Sequence, residues 1–484
     1  MGTAEKSLNP EGVPSQLDGD APITVSLYDK WQKIHPLWVS GGWQTGRRVV
    51  LAILLLVFYL APWLRWNGEP GIFFDLEHRR FTILWATFVP EEFILLAWAL
   101  LIAALTLFAV TVAAGRVFCG WACPQTIWSL VYFSIEHWIE GDRAARLRLD
   151  RGHWNLDRIK KKVLKYILWA GLSFSISLTF VGFFEPIREL IPRILRFDLS
   201  GWEQLGLVLP AAGSFLLSGV LREQVCFHMC PYARFQSVMF DRDSLIISYD
   251  VDRGDPRGSR NRSADPASMG LGSCVDCMKC VNVCPTGIDI RDGLQYQCIG
   301  CAACIDACTD VMQMMGYGKS LIRYSSQNKD MGQQRHWLRP RLIGYASLIL
   351  VMVGAFSYVL DHRIPLGLDV ARDRNRLYRQ DWDGSVENVY TLRIANRESV
   401  AREYSIGFES PLSLEYDGPK TVRIAGGEFT ALPIRLLLPG TAAQTAEPAE
   451  VLFRVESLDS PDVAIEEASR FHLPVGTMKS EGTK

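Results

Sequence analysis

After Cys308 the 484-residue chain contains no cysteine, so its last 176 residues fold without a thiol, a disulfide or a cysteine-bound metal. That gap, together with the length, excludes a small secreted disulfide scaffold. Charge of one sign is not in excess either: 51 Lys+Arg face 52 Asp+Glu, for a net charge of -1. A nucleic-acid binder that works through bulk positive charge is thereby excluded. No G-x-G-x-x-G and no Walker motif occurs, so flavin, nicotinamide and nucleotide chemistry have no foothold in the sequence.

Charge is also absent locally. Phe93–Ala114 carries none, and the stretches near Val49–Trp63, Val163–Phe184, Leu205–Leu221 and Leu342–Leu360 are almost as apolar. Runs of this kind cross a ~30 Å hydrocarbon core as helices, with Trp63, Trp66, Trp202 and Tyr345 placed as interfacial anchors. The first 48 residues are too polar and too long for the n-region of a cleaved signal, so the first helix is expected to remain as a span. The connection Gly115–Lys165 holds ten Lys/Arg against three in Leu64–Glu92. The positive-inside rule then puts the N-terminus and Arg222–Pro340 in the cytoplasm and the chain beyond Asp361 outside. Whether Trp121–Ile139 and Phe235–Ile247 dip into the membrane stays open.

The expected architecture is a multi-domain membrane protein: an α-helical transmembrane bundle of about five spans, an inserted two-cluster ferredoxin-like domain and a C-terminal all-β immunoglobulin-like sandwich. Its boundaries are a cytoplasmic segment 1–48, a four-span membrane domain 49–248, the ferredoxin domain 249–339, a last span 340–360 and a periplasmic domain 361–484. The sandwich rests on short alternating runs, Val389–Ile394, Tyr404–Phe408, Thr421–Ile424, Leu432–Leu438, Val451–Val455 and Phe471–Val475, separated by turn residues.

The cysteines carry the chemistry. Cys274-x2-Cys277-x2-Cys280-x3-Cys284-Pro285 is followed by Cys298-x2-Cys301-x2-Cys304-x3-Cys308, the bacterial two-cluster ferredoxin spacing present twice. Three closely spaced thiolates wrap one cube and the fourth is carried to the other. Cys274, Cys277, Cys280 and Cys308 are expected on one [4Fe-4S] cluster, and Cys298, Cys301, Cys304 and Cys284 on the second. A pair of zinc sites is the bland alternative. Thr309 stands after Cys308 where proline is usual.

A second constellation, C-x3-C-P, occurs twice: Cys119 to Pro124 after the second span and Cys226 to Pro231 after the fourth. The repetition suggests a duplicated two-span unit. On a helix, an i, i+4 pair would put both thiols on one face, and two such helix ends could gather four sulfurs. His228 and Met229 lie between the second pair, and soft thiolate and thioether donors favour Cu(I). A copper site, a further iron–sulfur or zinc site, and buried structural thiols all remain open. Met312, Met314 and Met315 read as core, His137 and His153 as weak haem-ligand candidates, and Glu91, Glu92 and Glu185 as interfacial or turn residues.

In this order of motifs, the chain resembles the cytochrome c oxidase accessory protein family known as CcoG, FixG or RdxA. The resemblance rests on Cys119-Gly120-Trp121-Ala122-Cys123-Pro124, on Cys226–Pro231, on the ferredoxin run, and on the last span with its cysteine-free β tail. It implies reduction of Cu(II) to Cu(I) for assembly of a cbb3-type oxidase in the bacterial inner membrane. Copper would be handled by Cys119, Cys123, Cys226 and Cys230. A cytoplasmic protein would donate electrons, and copper chaperones or oxidase subunits would dock on the outer domain. The alternatives are a NapH-like electron-transfer subunit of a quinol-linked reductase without copper chemistry, and a redox-sensing scaffold.

Overall fold

A computed structural model of the chain describes residues 33–474, apart from 67–68, 77–79, 84–85, 89–92, 263, 319, 337, 363, 374–375, 399, 441–447 and 461–462. Glu91 and Glu92 lie outside the described residues. Among the described residues, five helices are long and apolar enough to cross a membrane: Gly42–Trp63, Phe93–Ala114, Leu156–Val181, Gly201–Leu221 and Pro340–Asp361. The first, third and fourth begin earlier than their apolar runs, because caps rather than hydrophobicity start a helix. Asn155 caps the third by accepting from the Arg158 amide at 2.8 Å, and Ser200 with Glu203 forms a capping box on the fourth.

The first span has no cap of its own side chains. Its amide ends at Trp43 and Gln44 donate instead to the Asp306 carboxylate, at 3.3 and 2.8 Å, from the ferredoxin domain. The far end of the second span is closed from the same domain: its Val112 carbonyl accepts from Ser244 Oγ at 2.8 Å and its Ala113 carbonyl from Arg335 at 2.7 Å. Orphan helix-end groups therefore tie the soluble domain to the bundle. These contacts put the start of the first span, the end of the second and all twelve cysteines at one face. On the other face, the short antiparallel sheet of Ile72–Asp75, Arg80–Ile83 and Ala86–Phe88 meets the turn after the third span through Phe74 N to Phe183 O at 2.7 Å. The fifth span leads away from the cysteine face into the β domain.

Trp121–Ile139 adds no further span. The helix Pro124–Glu140 packs against the third and fourth spans, and its Trp128 ring meets Phe58 of the first at 5.4 Å between centroids. Gln125 donates to the Leu217 carbonyl at 2.8 Å, and the Tyr132 hydroxyl meets Ser173 at 2.6 Å and Ser214 at 3.0 Å. Its last turns place Glu136 and Glu140, both with no exposed side chain, among Lys33, Lys162, Lys165 and Arg222. Phe235–Ile247 does not cross either: it ends the helix Pro231–Met239 and enters the strand Ile246–Tyr249, which pairs with Ile322–Ser325 and closes the ferredoxin domain.

The tail is a two-sheet sandwich. One sheet orders Glu415–Asp417, Phe429–Leu438, Val386–Asn396 and Leu366–Arg372, with Arg379–Gln380 beside Val386–Asn396. The other orders Thr421–Ile424, Arg402–Glu409, Ala449–Ser457 and Ala464–Phe471. Alternate residues of the facing strands, among them Tyr390, Ile434, Val451 and Phe453, are fully buried between them. The sequence reading does not include the strands Leu366–Arg372, Arg379–Gln380 and Glu415–Asp417, and it places its last run at Phe471–Val475, whose Val475 lies outside the described residues, where the strand is Ala464–Phe471. Glu466 and Glu467 on its course hide its alternation.

Candidate functional site

Within the ferredoxin domain, Cys274, Cys277, Cys280 and Cys308 line one cavity. Cys284, Cys298, Cys301 and Cys304 line a second, with Cys280 also touching it. The loops that carry them share an unusual backbone. Asp276 and Met278 flank Cys277 at φ 53 and 55, and Gly300 and Ala302 flank Cys301 at φ 69 and 61. The left-handed region costs non-glycine residues energy, yet three of these four are not glycine. Left-handed residues beside right-handed ones turn successive amides inward as an anion-binding nest. The same geometry in both loops is a cradle for a negatively charged iron–sulfur cluster. Burial pushes the Cys280 and Cys298 thiols up to about 12, so bare thiolates are unfavourable there and a multi-iron cation offsets them. The two sites differ in depth: Cys277 is exposed, whereas Cys301 is buried.

The C-x3-C-P motifs are not continuous helices, which corrects the i, i+4 expectation. Helix Val117–Trp121 stops before Cys123, and Cys230 follows the π-helical turn Val225–Met229. Each second cysteine is extended, Cys123 at φ -63 and ψ 127 and Cys230 at φ -79 and ψ 109, and each caps a helix with proline at its first turn. Proline forces this, because it disfavours the helical conformation in the residue before it. Both repeats obey the rule, so the local fold repeats with the sequence. Cys119 and Cys226 are partly buried. Burial first, then the other thiols of the group, pushes Cys119 up to about 11 and Cys226 up to about 12. All four thiols act on one another or on Arg116. His228 and Met229 are exposed on the same turn rather than buried with the thiols. Among the described residues, no three of His, Cys, Asp and Glu converge as on a single ion.

The two constellations abut. Cys119 packs against the apolar cluster of Val283, Ile299, Cys301 and Ala303, and its Sγ donates to Gln236 Oε1 at 3.3 Å. The Arg116 guanidinium donates to the carbonyls of Tyr296, of Cys298 at 3.3 Å and of Ala233 at 2.8 Å. It thereby pins the second cluster loop to the helix behind Cys230. Arg47 Nε donates to the Gly120 carbonyl at 2.7 Å and Gln44 Nε2 to that of Cys301 at 2.8 Å. Sequence reasoning missed all of these: an Arg at the end of a span reads only as a topology marker, and Gln236 lies five residues past Pro231, the end of its motif.

Gly120 shows how tight the junction is. A Cβ there would meet the Ile299 carbonyl at 2.7 Å and Gly300 backbone atoms at 2.8 Å. Gly120→Ala is expected to part the motif from the cluster loop while leaving the β domain intact. The check is iron content and visible absorbance of the purified variant, which should fall toward half of the wild-type value.

Other candidates resolve structurally. Met312 is buried core and Met314 is exposed. His137 stacks on Trp38 at 4.9 Å between ring centroids, and His153 is exposed. Glu185 lies in the turn after the third span, its amide bonded to Val181 O at 2.9 Å.

Residues 221–327 match the 4Fe-4S dicluster domain, and residues 96–135 match a 4Fe-4S binding domain. Residues 356–474 match the IG-like fold at the C-terminal of FixG. Protein RdxB of Cereibacter sphaeroides is 36% identical over 454 residues, covering 90% of this chain and 95% of its own. Nitrogen fixation protein FixG of Rhizobium meliloti is 34% identical over 443 residues, covering 84% and 83%. The chain belongs to the FixG/RdxA/RdxB family. A solved FixG-related protein from Vibrio parahaemolyticus is 29% identical over 23% of this chain and 98% of its own, at a TM-score of 0.21. As a FixG-family member, the chain is a multi-pass iron–sulfur electron-transfer membrane protein, with 4Fe-4S clusters carried by its dicluster domain.

Proposed function

We propose that this FixG-family chain reduces Cu(II) to Cu(I) at Cys119, Cys123, Cys226 and Cys230, in the service of cbb3-type oxidase assembly. The observation that carries the reading is the packing of Cys119 against the loop of Cys301, with Arg116 bridging the cluster loop and the second motif. Bound at the eight ferredoxin cysteines, [4Fe-4S] clusters supply one-electron chemistry. A cupric ion at the four thiols takes up one electron and becomes cuprous, the oxidation state that soft sulfur ligands favour. Arg116 and Gln236 position the motifs, and burial holds the Cys119 and Cys226 thiols neutral until a soft cation displaces their protons. The oxidase-assembly role rests on the order of motifs shared with the family. On the same reading the cysteine face is cytoplasmic, and the β domain is periplasmic, where copper chaperones or oxidase subunits would meet it.

The match of residues 96–135 to a 4Fe-4S binding domain favours a second reading, in which the four C-x3-C-P thiols hold a third cluster. Metal analysis of the anaerobically purified protein separates the two, followed by copper K-edge absorption after one equivalent of Cu(I). The copper reading expects about eight iron atoms per chain and sulfur-only copper coordination. About twelve iron atoms, with copper bound through nitrogen or oxygen, would overturn it.

A further inference from the structure

A cavity of about 330 Å3 opens between the start of the first span, the helix Pro124–Glu140 and the ferredoxin domain. Its size falls within the ~300–1,000 Å3 range of small-molecule sites. Trp38, Leu51, Leu130 and Phe133 give it apolar and aromatic walls, while Arg47, Arg222, Gln125, Thr126 and Glu223 bring polar groups to it. Because Gln44, Arg47 and Leu51 belong to the first turns of a membrane helix, the cavity lies at the depth where a lipid-borne molecule presents its headgroup.

Its walls are also walls of the redox site. Cys226 lines it, and so do Pro285 and Thr286 beside Cys284, and Ile299 and Ala303 beside Cys298 and Cys304. Gln44 and Arg47 reach from its lining to the carbonyls of Cys301 and Gly120. The dicluster domain requires an electron source, and the chain carries no flavin or nicotinamide motif. A phospholipid acyl chain would set the polar atoms that Arg47, Arg222, Gln125 and Glu223 bring to the lining against hydrocarbon. A flat aromatic ring with two oxygens and an apolar tail uses every wall.

We propose that this cavity binds the headgroup of a membrane quinol, which serves as electron donor to the adjacent dicluster domain in place of the soluble protein donor expected from sequence. The proposal rests on the redox role assigned above. One quinol loses two electrons and two protons and leaves as quinone, and the two [4Fe-4S] sites each take one electron. Arg47 and Arg222 are placed to hydrogen-bond the ring oxygens. Arg222 is itself fixed by its pairing with Glu136 and by Nε to Gly219 O at 2.9 Å. Glu223 receives one proton and water at the open side of the cavity takes the other; burial of Glu223, which raises its affinity for protons, suits it to that role.

The test uses the full-length protein in detergent with oxidised clusters and with menadione as the probe. Trp38 lines the cavity, so binding is read as saturable quenching of tryptophan fluorescence, independent of cluster or copper turnover. Wild type is expected to bind one menadione per chain. Ser129→Phe, which fills the cavity from the helix Pro124–Glu140, should weaken binding about tenfold or more, and Leu51→Trp does the same from the first span should Ser129→Phe fail to fold. Menadiol should bleach the visible cluster absorbance of wild type. No saturable quenching, equal affinity in both variants, or an acyl chain retained in the cavity with no menadione bound would overturn the proposal. Menadiol that bleaches the clusters of a protein unable to reduce Cu(II) supports the donor site and removes the copper reading. Cu(II) reduction by dithionite-reduced protein that menadiol cannot reduce overturns the donor site alone.

Discussion

Replacing Cys119 and Cys226 together by serine is expected to slow Cu(II) reduction by at least about a hundredfold, a barrier change of ~2.7 kcal/mol, while leaving about eight iron atoms per chain. A hydroxyl is a hard, protonated donor and gives Cu(I) little of what a thiolate gives. Both positions are partly buried within the group of four thiols, so no solvent ligand easily takes their place. The fold should tolerate the change. Serine at 119 can still donate to Gln236 Oε1, which the thiol now reaches at 3.3 Å, and neither residue lines the two ferredoxin cavities. The check is stopped-flow reoxidation of the reduced variant by Cu(II), beside its iron content. Loss of iron in step with activity would assign these cysteines to a cluster instead.

The second large effect is on stability. Glu136→Ala is expected to cost about 3–5 kcal/mol, the range found when one partner of a buried ion pair is removed. Glu136 has no exposed side chain, and its carboxylate meets Lys33 Nζ at 3.0 Å, Lys165 Nζ at 3.7 Å and the Arg222 guanidinium. Burial pushes that carboxyl up, but Arg222, Lys33 and Lys165 outweigh it and hold it well below the usual carboxylate range. Removing the anion takes the carboxylate from the Arg222 guanidinium, while Lys165 keeps Glu140 at 2.8 Å and Lys33 keeps Asp150 at 3.1 Å. Thermal unfolding in detergent should show the loss. Glu136→Gln should lose less, because an amide still accepts from Arg222. Equal loss in both variants would show that charge is not the cause.

The parts of this molecule that were legible in sequence are those where chemistry fixes spacing. Thiols that surround a cube must recur at two- and three-residue intervals, so the ferredoxin cysteines announced themselves. Charge-free runs such as Phe93–Ala114 can hardly be anything but spans. The strand Thr421–Ile424 shows plain alternation and coincides with its sequence assignment. The helix through each C-x3-C misled because periodicity was weighed without Pro124 and Pro231, which set the backbone of the residue before them. What no local pattern could reveal is the docking. Arg116 reaches Cys298 across 182 positions and Gln44 reaches Cys301 across 257. The closeness of the motifs depends on Gly120 and Gly300 facing each other, and a missing side chain has no signature until its neighbour is known. The buried charges at Glu136, Glu140 and Lys165 were hidden in the same way, as ordinary members of a basic loop.

The central claim is that electrons held in the dicluster domain leave through the adjoining C-x3-C-P thiols to copper. The most direct measurement mixes anaerobic, dithionite-reduced protein, freed of excess dithionite, with Cu(II) and a Cu(I)-specific chelator. Return of the cluster absorbance and appearance of the Cu(I) complex are followed together. The account predicts that the two rise at the same rate, with one Cu(I) trapped for each electron the clusters give up. Clusters that stay reduced in the presence of Cu(II), or that reoxidise without yielding Cu(I), would contradict it.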